Sequence, residues 1–431
     1  MSSCVWYISK YVVTPAPGEP AGRSFGLMRE IAKLGYDCVV VTSDSMGMFN
    51  APEAHRPYEF ENIQGMRFCR LRTLKYSGSK SIRRIMSWVD FEWRLLRLPT
   101  ETLPRPDVIV ASSLSLLTVL NGMRLSRQYR CRLVFEVRDI WPLTITAEGG
   151  FSRRNPLVLG LGVVEKLGYR QADAIVGTMP NLSEHVHNVT GETLPTYCVP
   201  MGVDTKAVES SEPLPADYAA TYLPLDKFVV AYAGSIGISN ALDVLFDCAQ
   251  AMEDETDVHF VVVGDGDLRQ TYINRYGSLS NLTFAPRVPK SMVHGFLTRC
   301  DLLYLSVHDS PVWDYGLSLN KMVDYMLAAK PIVASYSGYH SMINEAGCGT
   351  FVPAGDAARL RDEIRRYSRM PNAERNEMGA RGRKWLLDQR DYSVLARDYA
   401  QILFPEGTGN WQDDSLLDRD GSGSGSGSGS G

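Results

Sequence analysis

The sequence predicts an α/β protein of two domains, each built around a parallel sheet. Short apolar or β-branched runs alternate with longer amphipathic runs along most of the chain, a pattern typical of parallel strands with helices on both faces. At 431 residues the chain is too long for one ordinary hydrophobic core, so two domains of about 200 residues each are expected. The segment Glu209–Asp226, rich in Ser, Pro and Ala, separates two series of elements and is predicted to connect the domains.

The elements of both series follow in order from these runs. The strand candidates are 5–8, 38–42, 108–111, 133–137 and 174–176, then 228–233, 258–263, 302–305, 332–334 and 350–352. The helix candidates are 23–34, 157–171, 242–252, 291–299 and 321–329, with a last amphipathic helix at 392–403. We therefore place an N-terminal domain at 1–205, a C-terminal domain at 206–385, a terminal helix in 386–404 and a tail at 405–431 ending in a Gly/Ser linker.

Composition narrows the class of protein. The net charge of −4 gives no reason to expect nucleic acid as a partner. The eight cysteines show no metal-ligand spacing and lie mostly in apolar runs, as Cys38 does, which predicts reduced, buried thiols and a cytoplasmic protein. The N-terminus lacks the pattern of a signal peptide, and no apolar run approaches the roughly 18 residues that span a bilayer.

The most informative stretch is 315–331, which reads YGLSLNKMVDYMLAAKP. A polar loop with Gly316, Ser318 and Asn320 leads into Lys321, where an apolar helix begins. A helix N-terminus offers unpaired N–H groups and a partial positive charge, so together with Lys321 it suits a phosphate. Asp324 lies on the same helix face and could accept hydrogen bonds from sugar hydroxyls. The stretch predicts a nucleotide-sugar site, with Lys321 in a catalytic as well as a binding role.

Two glycine turns follow strand candidates of the C-terminal series. In YAGSIGISNAL, Gly234 and Gly237 would let the backbone reach a pyrophosphate. In VVVGDGDLR, Gly264 and Gly266 flank Asp265 in a tight turn, and Gly264 is a candidate donor-binding residue. Ordinary turn chemistry remains the alternative for both. The backbone around Arg287 and Val288 could meet the edge of a nucleobase.

Two loops of the N-terminal series follow the carboxyl ends of strands, where open parallel sheets bind ligands. The loop 15–23 carries Gly22, which permits close backbone approach, and ends at Arg23, which opens a helix. In FEVRDIWP (135–142), Arg138 could hold a phosphate, and Asp139 could orient or deprotonate an acceptor hydroxyl. The alternatives are an ordinary loop and an Arg–Asp pair that only fixes the turn.

The segment 72–97 bears on location. Seven basic residues against two acidic ones are interleaved with Trp88, Phe91, Trp93, Leu95 and Leu96. Such a stretch suits docking to an anionic membrane surface, and the alternative is a helix that packs its aromatic residues on the sheet.

As an ordered set, these motifs resemble the retaining glycosyltransferases of family 4, which have two facing Rossmann-like domains and an interdomain cleft (the GT-B fold). The resemblance runs from Val5 to about Phe404 and includes RDIWP, QADAIVGTMP (171–180), VPMGVD (199–204), VVVGDG and YGLSLNKMVDYM. Within the family the sequence looks most similar to bacterial enzymes that build O-antigen or capsule repeats, particularly L-fucosamine (FucNAc) transferases.

The resemblance implies a division of labour between the domains. The C-terminal domain would hold a UDP-sugar, with Lys321 and the backbone of 318–320 at the diphosphate and Asp324 at the ribose. The N-terminal domain would take a lipid-diphosphate-linked sugar at the inner face of the plasma membrane, lined by Arg23, Arg138 and Asp139. No metal or cofactor is expected, because cationic side chains and helix N-termini stabilise the departing diphosphate. The last helix would return to brace the N-terminal domain.

Three departures from the family pattern stand out. Many relatives carry two glutamates in the C-terminal motif, whereas this chain has Gly316 and Asp324, and the loop GSIGISN lacks their Arg and Lys. The histidine common near the acceptor is replaced by Arg138 and Asp139. Two alternatives therefore stay open, a catalytically silent scaffold subunit and a nucleotide-sugar 2-epimerase of the same shape. A dinucleotide oxidoreductase is disfavoured, because no GxGxxG follows the first strand.

Overall fold

The N-terminal half folds around a mostly parallel sheet of eight strands. A computed structural model describes residues 2–15, 21–45, 52–76, 82–113, 115–205, 211–224 and 226–405, so most of the predicted loop 15–23 and of the predicted tail lies outside the described residues. The strands are β1 (Cys4–Ile8), β2 (Asp37–Ser43), β3 (Tyr58–Ile63), β4 (Met66–Leu71), β5 (Val108–Ser112), β6 (Arg132–Val137), β7 (Ala174–Gly177) and β8 (Thr196–Cys198). Their order is β3-β4-β2-β1-β5-β6-β7-β8, and only β3 runs antiparallel to its neighbour.

Helices cover both faces of this sheet. They are α1 (Arg23–Lys33), α2 (Ile82–Leu96), α3 (Thr118–Tyr129), α4 (Leu143–Ala147), α5 (Pro156–Gln171) and α6 (Leu182–Thr190). Alternate residues of β1 face opposite sides, so Tyr7 packs with Phe25 of α1 while Trp6 packs with Phe91 of α2. This double burial explains the nearly continuous apolar strands that the sequence showed.

The C-terminal half is a six-stranded, all-parallel sheet. Its strands are β9 (Phe228–Ala233), β10 (Val258–Val263), β11 (Leu282–Ala285), β12 (Leu302–Ser306), β13 (Ile332–Ser335) and β14 (Gly349–Val352), in the order β11-β10-β9-β12-β13-β14. Its helices are α7 (Ala216–Tyr222), α8 (Asp243–Ala251), α9 (Arg269–Tyr276), α10 (Lys290–Leu297), α11 (Asn320–Leu327), α12 (Met342–Ala346), α13 (Ala357–Arg369) and α14 (Asn372–Arg390). The predicted α/β class with two Rossmann-like sheets is confirmed.

The predicted connection at 209–226 is not simply a linker. Within its described part, α7 lies between two prolines, and Leu214, Ala219 and Leu223 are buried in the C-terminal core. Burial of these three side chains attaches the segment to the second domain, which Ser and Pro content did not reveal.

A last helix, α15 (Tyr392–Leu403), packs on the N-terminal domain although it follows the C-terminal one. Tyr392, Leu395 and Tyr399 belong to the same core as Phe25 of α1. The ring of Tyr392 occupies the space beside Gly26, where an added Cβ would stand 2.6 Å from a ring carbon. This helix therefore ties the end of the chain to the first domain.

All eight cysteines are free, as the sequence predicted, and six of them are buried. Burial raises the pKa of the Cys69 thiol to about 12, so this thiol stays protonated near neutral pH.

Candidate active site between the two sheets

In open parallel sheets, ligands bind beyond the carboxyl ends of the strands, at the point where the strand order reverses. That point lies between β1 and β5 in the first domain and between β9 and β12 in the second. In the second domain, Lys321 lies one residue inside the N-terminus of α11. Its Nζ donates hydrogen bonds to the Tyr232 hydroxyl at 2.8 Å and to Asn240 Oδ1 at 2.9 Å. Lys321 is thus held beside the carboxyl end of β9, at the N-terminus of a helix as the sequence predicted.

The charge of Lys321 is poorly compensated. Burial lowers the pKa of its ammonium group to about 7, and the carboxylate of Asp324 opposes this only in part. Its two hydrogen-bond partners are neutral, and its Nζ lies 4.1 Å from the centre of the Tyr232 ring. A desolvated cation with neutral partners favours an incoming anion.

The two glycine turns lie side by side beneath Lys321. The Gly234 N–H donates to Val263 O at 3.0 Å, and the Ile236 N–H donates to Asp265 O at 2.9 Å. A Cβ on Gly264 would stand 1.8 Å from the Gly234 carbonyl oxygen, so only glycine fits there. Gly237 is different, because a Cβ there would meet only the Ser235 side chain at 3.7 Å. Backbone approach therefore requires Gly264 but not Gly237.

Asp324 of α11, and Arg287 and Val288 ahead of α10, are the residues predicted to contact the ribose and the base. Asp324 forms an ion pair with Lys290 at 2.5 Å, and both side chains are partly exposed. Arg287 is exposed, whereas the side chain of Val288 is buried in the core, so only its backbone is available to a base.

Gly316 and Ser318 contact the other domain. A Cβ on Gly316 would stand 2.4 Å from Cδ of Pro180, and Gly316 has a φ of +114°. The Ser318 hydroxyl accepts a hydrogen bond from the Met201 N–H at 3.3 Å. These two predicted donor-site residues therefore join the domains, and Asn320, exposed at the start of α11, is the member of the loop beside Lys321 that is open to solvent.

Arg23 requires a correction. Its side chain is fully buried and forms an ion pair with Glu136 at 2.8 Å, and it also donates to the carbonyl oxygens of Val199 and Pro200. Tyr7 and Tyr399 of α15 both donate to the same carboxylate. Arg23 thus fixes α1 to β6 and cannot contact an acceptor in this structure, because no part of its side chain is accessible.

Arg138 and Gly22 lie near this buried network. Nη1 of Arg138 donates to Ser24 Oγ at 3.4 Å, and the Arg138 side chain is half-buried. Gly22 caps α1, with the position of its missing Cβ 3.2 Å from the Cβ of Val13. Although burial alone would raise the pKa of Glu136, the charges of Arg23 and Arg138 hold it below its usual range.

Asp139 is exposed and lies just beyond the carboxyl end of β6, and its role toward an acceptor stays a prediction. Desolvation by the surrounding protein raises the pKa of its carboxyl group, and the positive charges of Arg138 and Arg84 oppose that rise. The residue as a whole is exposed, but the surrounding protein desolvates its carboxyl group, which is therefore more basic than that of an ordinary surface aspartate.

The pKa of Glu148 responds to charged groups of both domains. The negative charge of Asp139 is one cause of the raised pKa of Glu148, although desolvation is the larger cause, and the charge of His308 acts in the opposite direction. Nε2 of His308 lies 2.6 Å from the carbonyl oxygen of Ile238, two residues before the Asn240 that holds Lys321. The sequence did not predict Glu148, Tyr232 or Asn240 as site residues. Tyr232 and Asn240 lie within the motif YAGSIGISNAL, whereas Glu148 lies outside the motifs described above.

The described residues contain no group of side chains arranged to hold a metal ion. Within the same ranges, no helix is both long and apolar enough to cross a membrane.

Two parallel-sheet domains facing each other, with a final helix that crosses from the second to the first, define a protein of the GT-B class. Residues 21–200 match the family model described as glycosyl transferase 4-like domain, and residues 227–369 match the one described as glycosyl transferases group 1. The two matches together span about three quarters of the chain. The chain belongs to these family 4-type glycosyltransferases.

Solved structures of low sequence identity share the fold. Sucrose-phosphate synthase from Thermosynechococcus elongatus is 16% identical with a TM-score of 0.68, covering 93% of this chain and 98% of that one. A trehalose-6-phosphate protein from E. coli bound with UDP-2-fluoro glucose is 13% identical with a TM-score of 0.71, over 93% and 99% of the two chains. HepE from Anabaena, in complex with UDP and glucose, is 17% identical with a TM-score of 0.61, over 93% and 98%. No curated protein is a significant match to the sequence.

Proposed function

We propose that this glycosyltransferase is a retaining enzyme that moves a sugar from a UDP-sugar to a lipid-diphosphate-linked sugar. The donor sugar would be an N-acetylated amino sugar such as FucNAc, and the product a repeat unit of bacterial O-antigen or capsule. The resemblance of the RDIWP and YGLSLNK motifs supports the choice of sugar and product. HepE and the E. coli protein, whose structures contain UDP or a UDP-sugar, share the fold and support a UDP-linked donor.

The observation that carries the proposal is the environment of Lys321. A diphosphate above Gly234 would supply the negative charge that the two neutral partners of Lys321 lack. In the transfer step, the bond from the anomeric carbon to the diphosphate oxygen breaks while the bond to the acceptor oxygen forms on the same face. The departing phosphate takes the acceptor's proton, Lys321 stabilises the negative charge that develops there, and Asp139 orients the acceptor hydroxyl. No metal is needed in this scheme.

The first test is thermal stabilisation by a panel of UDP, GDP, ADP and NAD. We expect UDP alone to raise the melting temperature, and Lys321→Ala to abolish the increase. Lys384→Ala is the matched control, because Lys384 is an exposed lysine of α14 paired with Asp388, far along the chain from the glycine turns. A shift with none of the nucleotides would contradict the proposal and favour the silent scaffold.

A second candidate function is favoured by Asp139, Glu148 and His308. A nucleotide-sugar 2-epimerase needs acid/base carboxylates and a histidine facing the sugar, and the charges of Asp139 and His308 both act on the pKa of Glu148. The two activities differ in their products. A transferase releases UDP in step with glycoside formation, whereas an epimerase changes the sugar while it is still attached to UDP, which proton NMR of the UDP-sugar would reveal.

We also propose that the enzyme works at the inner face of the plasma membrane. Helix α2, within the predicted segment 72–97, exposes Ile85, Met86, Val89 and Trp93, each by more than half. Helix α5 adds Leu157, Leu159 and Val163 with similar exposure, and it carries the exposed Lys166 and Arg170. Basic residues beside exposed apolar ones suit an anionic bilayer.

Co-sedimentation with anionic vesicles tests this location. We expect binding to vesicles that contain phosphatidylglycerol and a severalfold loss in the double variant Val89→Ser, Val163→Ser. Phe60→Ser is the control, because Phe60 is an exposed apolar residue on the edge strand β3. Equal binding of all variants, or no binding of the wild type, would contradict the proposal.

A further inference from the structure

A short helical turn of the second domain is inserted into the hydrophobic core of the first. This turn, Pro311–Tyr315, follows β12, and we call it the inserted turn. Its Val312 is 2% exposed and lies in a core cluster of which every other described buried member belongs to the first domain. Trp313 and Tyr315 pack against the same cluster. The second domain thus completes a core of the first domain.

Polar and aromatic contacts fix the inserted turn to the first domain at the start of α6. The Asn181 N–H donates to the Tyr315 carbonyl oxygen at 3.0 Å, and Asn181 Nδ2 donates to the Asp314 carbonyl oxygen at 3.1 Å. The rings of Tyr315 and His185 meet edge to face, with centroids 4.9 Å apart. His185 is buried, and its Nε2 lies 2.7 Å from a carboxylate oxygen of the buried Glu165 on α5. Because buried polar pairs rigidify the structure around them, the turn rests on a rigid part of the first domain.

The inserted turn is also fixed to its own sheet. The Trp313 carbonyl oxygen accepts hydrogen bonds from the Tyr336 hydroxyl at 3.2 Å and from the Tyr339 N–H at 2.9 Å. The Trp313 indole N–H donates to the His308 carbonyl oxygen at 3.0 Å. Tyr336 directly follows β13, so the turn is held by both domains at once.

The chain runs from the inserted turn straight into the donor motif. Gly316 directly follows the turn and abuts Pro180 of the first domain. The Ser318 hydroxyl accepts from the Met201 N–H, again of the first domain. Helix α11 then begins, and Lys321 is its second residue. The path that leads to Lys321 therefore rests on the first domain, although Lys321 and its hydrogen-bond partners belong to the second.

We propose that the first domain positions the donor site through the inserted turn, so that binding of UDP by the second domain depends on residues of the first. Val312 and Asn181 are positioning residues in this proposal, because they act through the loop that leads to Lys321. The inference rests on the proposed UDP-sugar donor and deepens it. It also accounts for Gly316, since a side chain at that position would collide with Pro180.

The physical reason is preorganisation. A loop that is already held in its binding conformation needs little further ordering when a ligand binds, whereas a loosened loop must be ordered at a cost in free energy. The glycine turns are fixed within the second domain by their own backbone contacts. Lys321 keeps its hydrogen bonds to Tyr232 and Asn240 as well. We therefore expect a partial loss of UDP affinity, and not a complete one, when the inserted turn is loosened.

The first test is isothermal titration calorimetry with UDP on the variant Asn181→Ala. The variant loses the hydrogen bond to the Asp314 carbonyl, so UDP should bind about threefold to tenfold more weakly. Glu184→Ala removes the other partner of the Asn181 amide and should leave the affinity unchanged. Asn155→Ala is the matched control, because Asn155 caps α5 by accepting from the Leu157 N–H at 2.9 Å.

The second test compares Val312→Ala with Val134→Ala. Val134 of β6 is also buried in the first domain, in the core on the opposite face of the sheet. Both variants lose the same two methyl groups, so both should lower the melting temperature. Only Val312→Ala should weaken UDP binding, again by about threefold to tenfold. Unfolded protein lowers the stoichiometry of binding and not the affinity of the folded fraction, so calorimetry separates a loss of folding from a misplaced loop.

The outcomes separate this inference from the proposed function. An unchanged UDP affinity in either Asn181→Ala or Val312→Ala would overturn the positioning role, and so would equal losses in these variants and their controls. In both cases UDP still binds the wild type, and the proposed function stands. If the wild type does not bind UDP, the proposed function itself fails.

Discussion

The two sides of the site are built in different ways. On the C-terminal side, Lys321 sits over two glycine turns whose backbones touch, and its pKa is lowered to about 7 by burial. On the N-terminal side, Asp139 is exposed beside aromatic and cationic side chains, above a fully buried Arg23–Glu136 pair. A site built from backbone groups and one lysine suits a diphosphate, because all nucleotide-diphosphate-sugar donors carry that group. A site built from side chains suits an acceptor, because acceptors differ from enzyme to enzyme.

The largest expected effect concerns the base of the N-terminal side. Arg23→Met should lower the free energy of unfolding by about 3–5 kcal/mol, because Glu136 would remain buried without its counter-charge. Urea denaturation measures this. Arg29→Met is the control, since the Arg29–Asp204 pair is partly exposed, and it should cost no more than about 1 kcal/mol. Equal losses would mean that the buried pair does not brace this side.

The second-largest expected effect concerns the glycine turns of the C-terminal side. Gly264→Ala places a Cβ against the Gly234 carbonyl and should cost about 3 kcal/mol while removing stabilisation by UDP. Gly237→Ala, in the neighbouring turn, should be nearly neutral, because its Cβ meets no backbone atom. Denaturation and the melting temperature with UDP test both. Intact UDP stabilisation in Gly264→Ala would show that the turns do not shape the diphosphate site.

The pH dependence of UDP binding tests whether Lys321 binds the diphosphate as a charged ammonium group. Its folded-state pKa of about 7 lies below the usual 10.5, so between these values the unfolded chain holds the extra proton. Stability of the free enzyme should therefore rise with pH across this window. UDP binding should weaken across the same window, because the diphosphate requires the charged ammonium group. Calorimetry above pH 7 should show proton uptake, and Lys321→Met should abolish both trends.

The smallest effect concerns Lys290. Its ion pair with Asp324 is partly exposed, so Lys290→Ala should change the free energy of unfolding by less than about 1 kcal/mol. We expect a modest gain in UDP affinity, because Asp324 becomes free to bind ribose hydroxyls. Titration with UDP and with dUDP would separate a ribose contact from a general effect: a gain of equal size for both nucleotides would count against Asp324 at the ribose.

Local patterns located one side of the site better than the other. Lys321, Gly234 and Gly264 belong to short motifs at strand ends, and a parallel sheet brings such ends to one edge, so their proximity followed from the sequence. Arg23 also follows a strand end, yet its partner Glu136 lies on β6, more than one hundred residues away. No sequence pattern predicts a pairing over that distance. Contacts between the aromatic side chains of Tyr11, Tyr76, Trp88 and Trp141 likewise join residues that no local sequence pattern connects.

The sequence by itself determined the two parallel-sheet domains, the position of Lys321 at a helix N-terminus and the free, mostly buried cysteines. These depend on periodicity and on chemistry within a few residues. The tertiary structure decided that Arg23 is buried, that Gly316 and Ser318 join the domains, and that the charges of Asp139 and His308 both act on Glu148. The reason is physical: burial, charge compensation and contact between domains depend on which distant residues meet, and a single chain read in order does not contain that information.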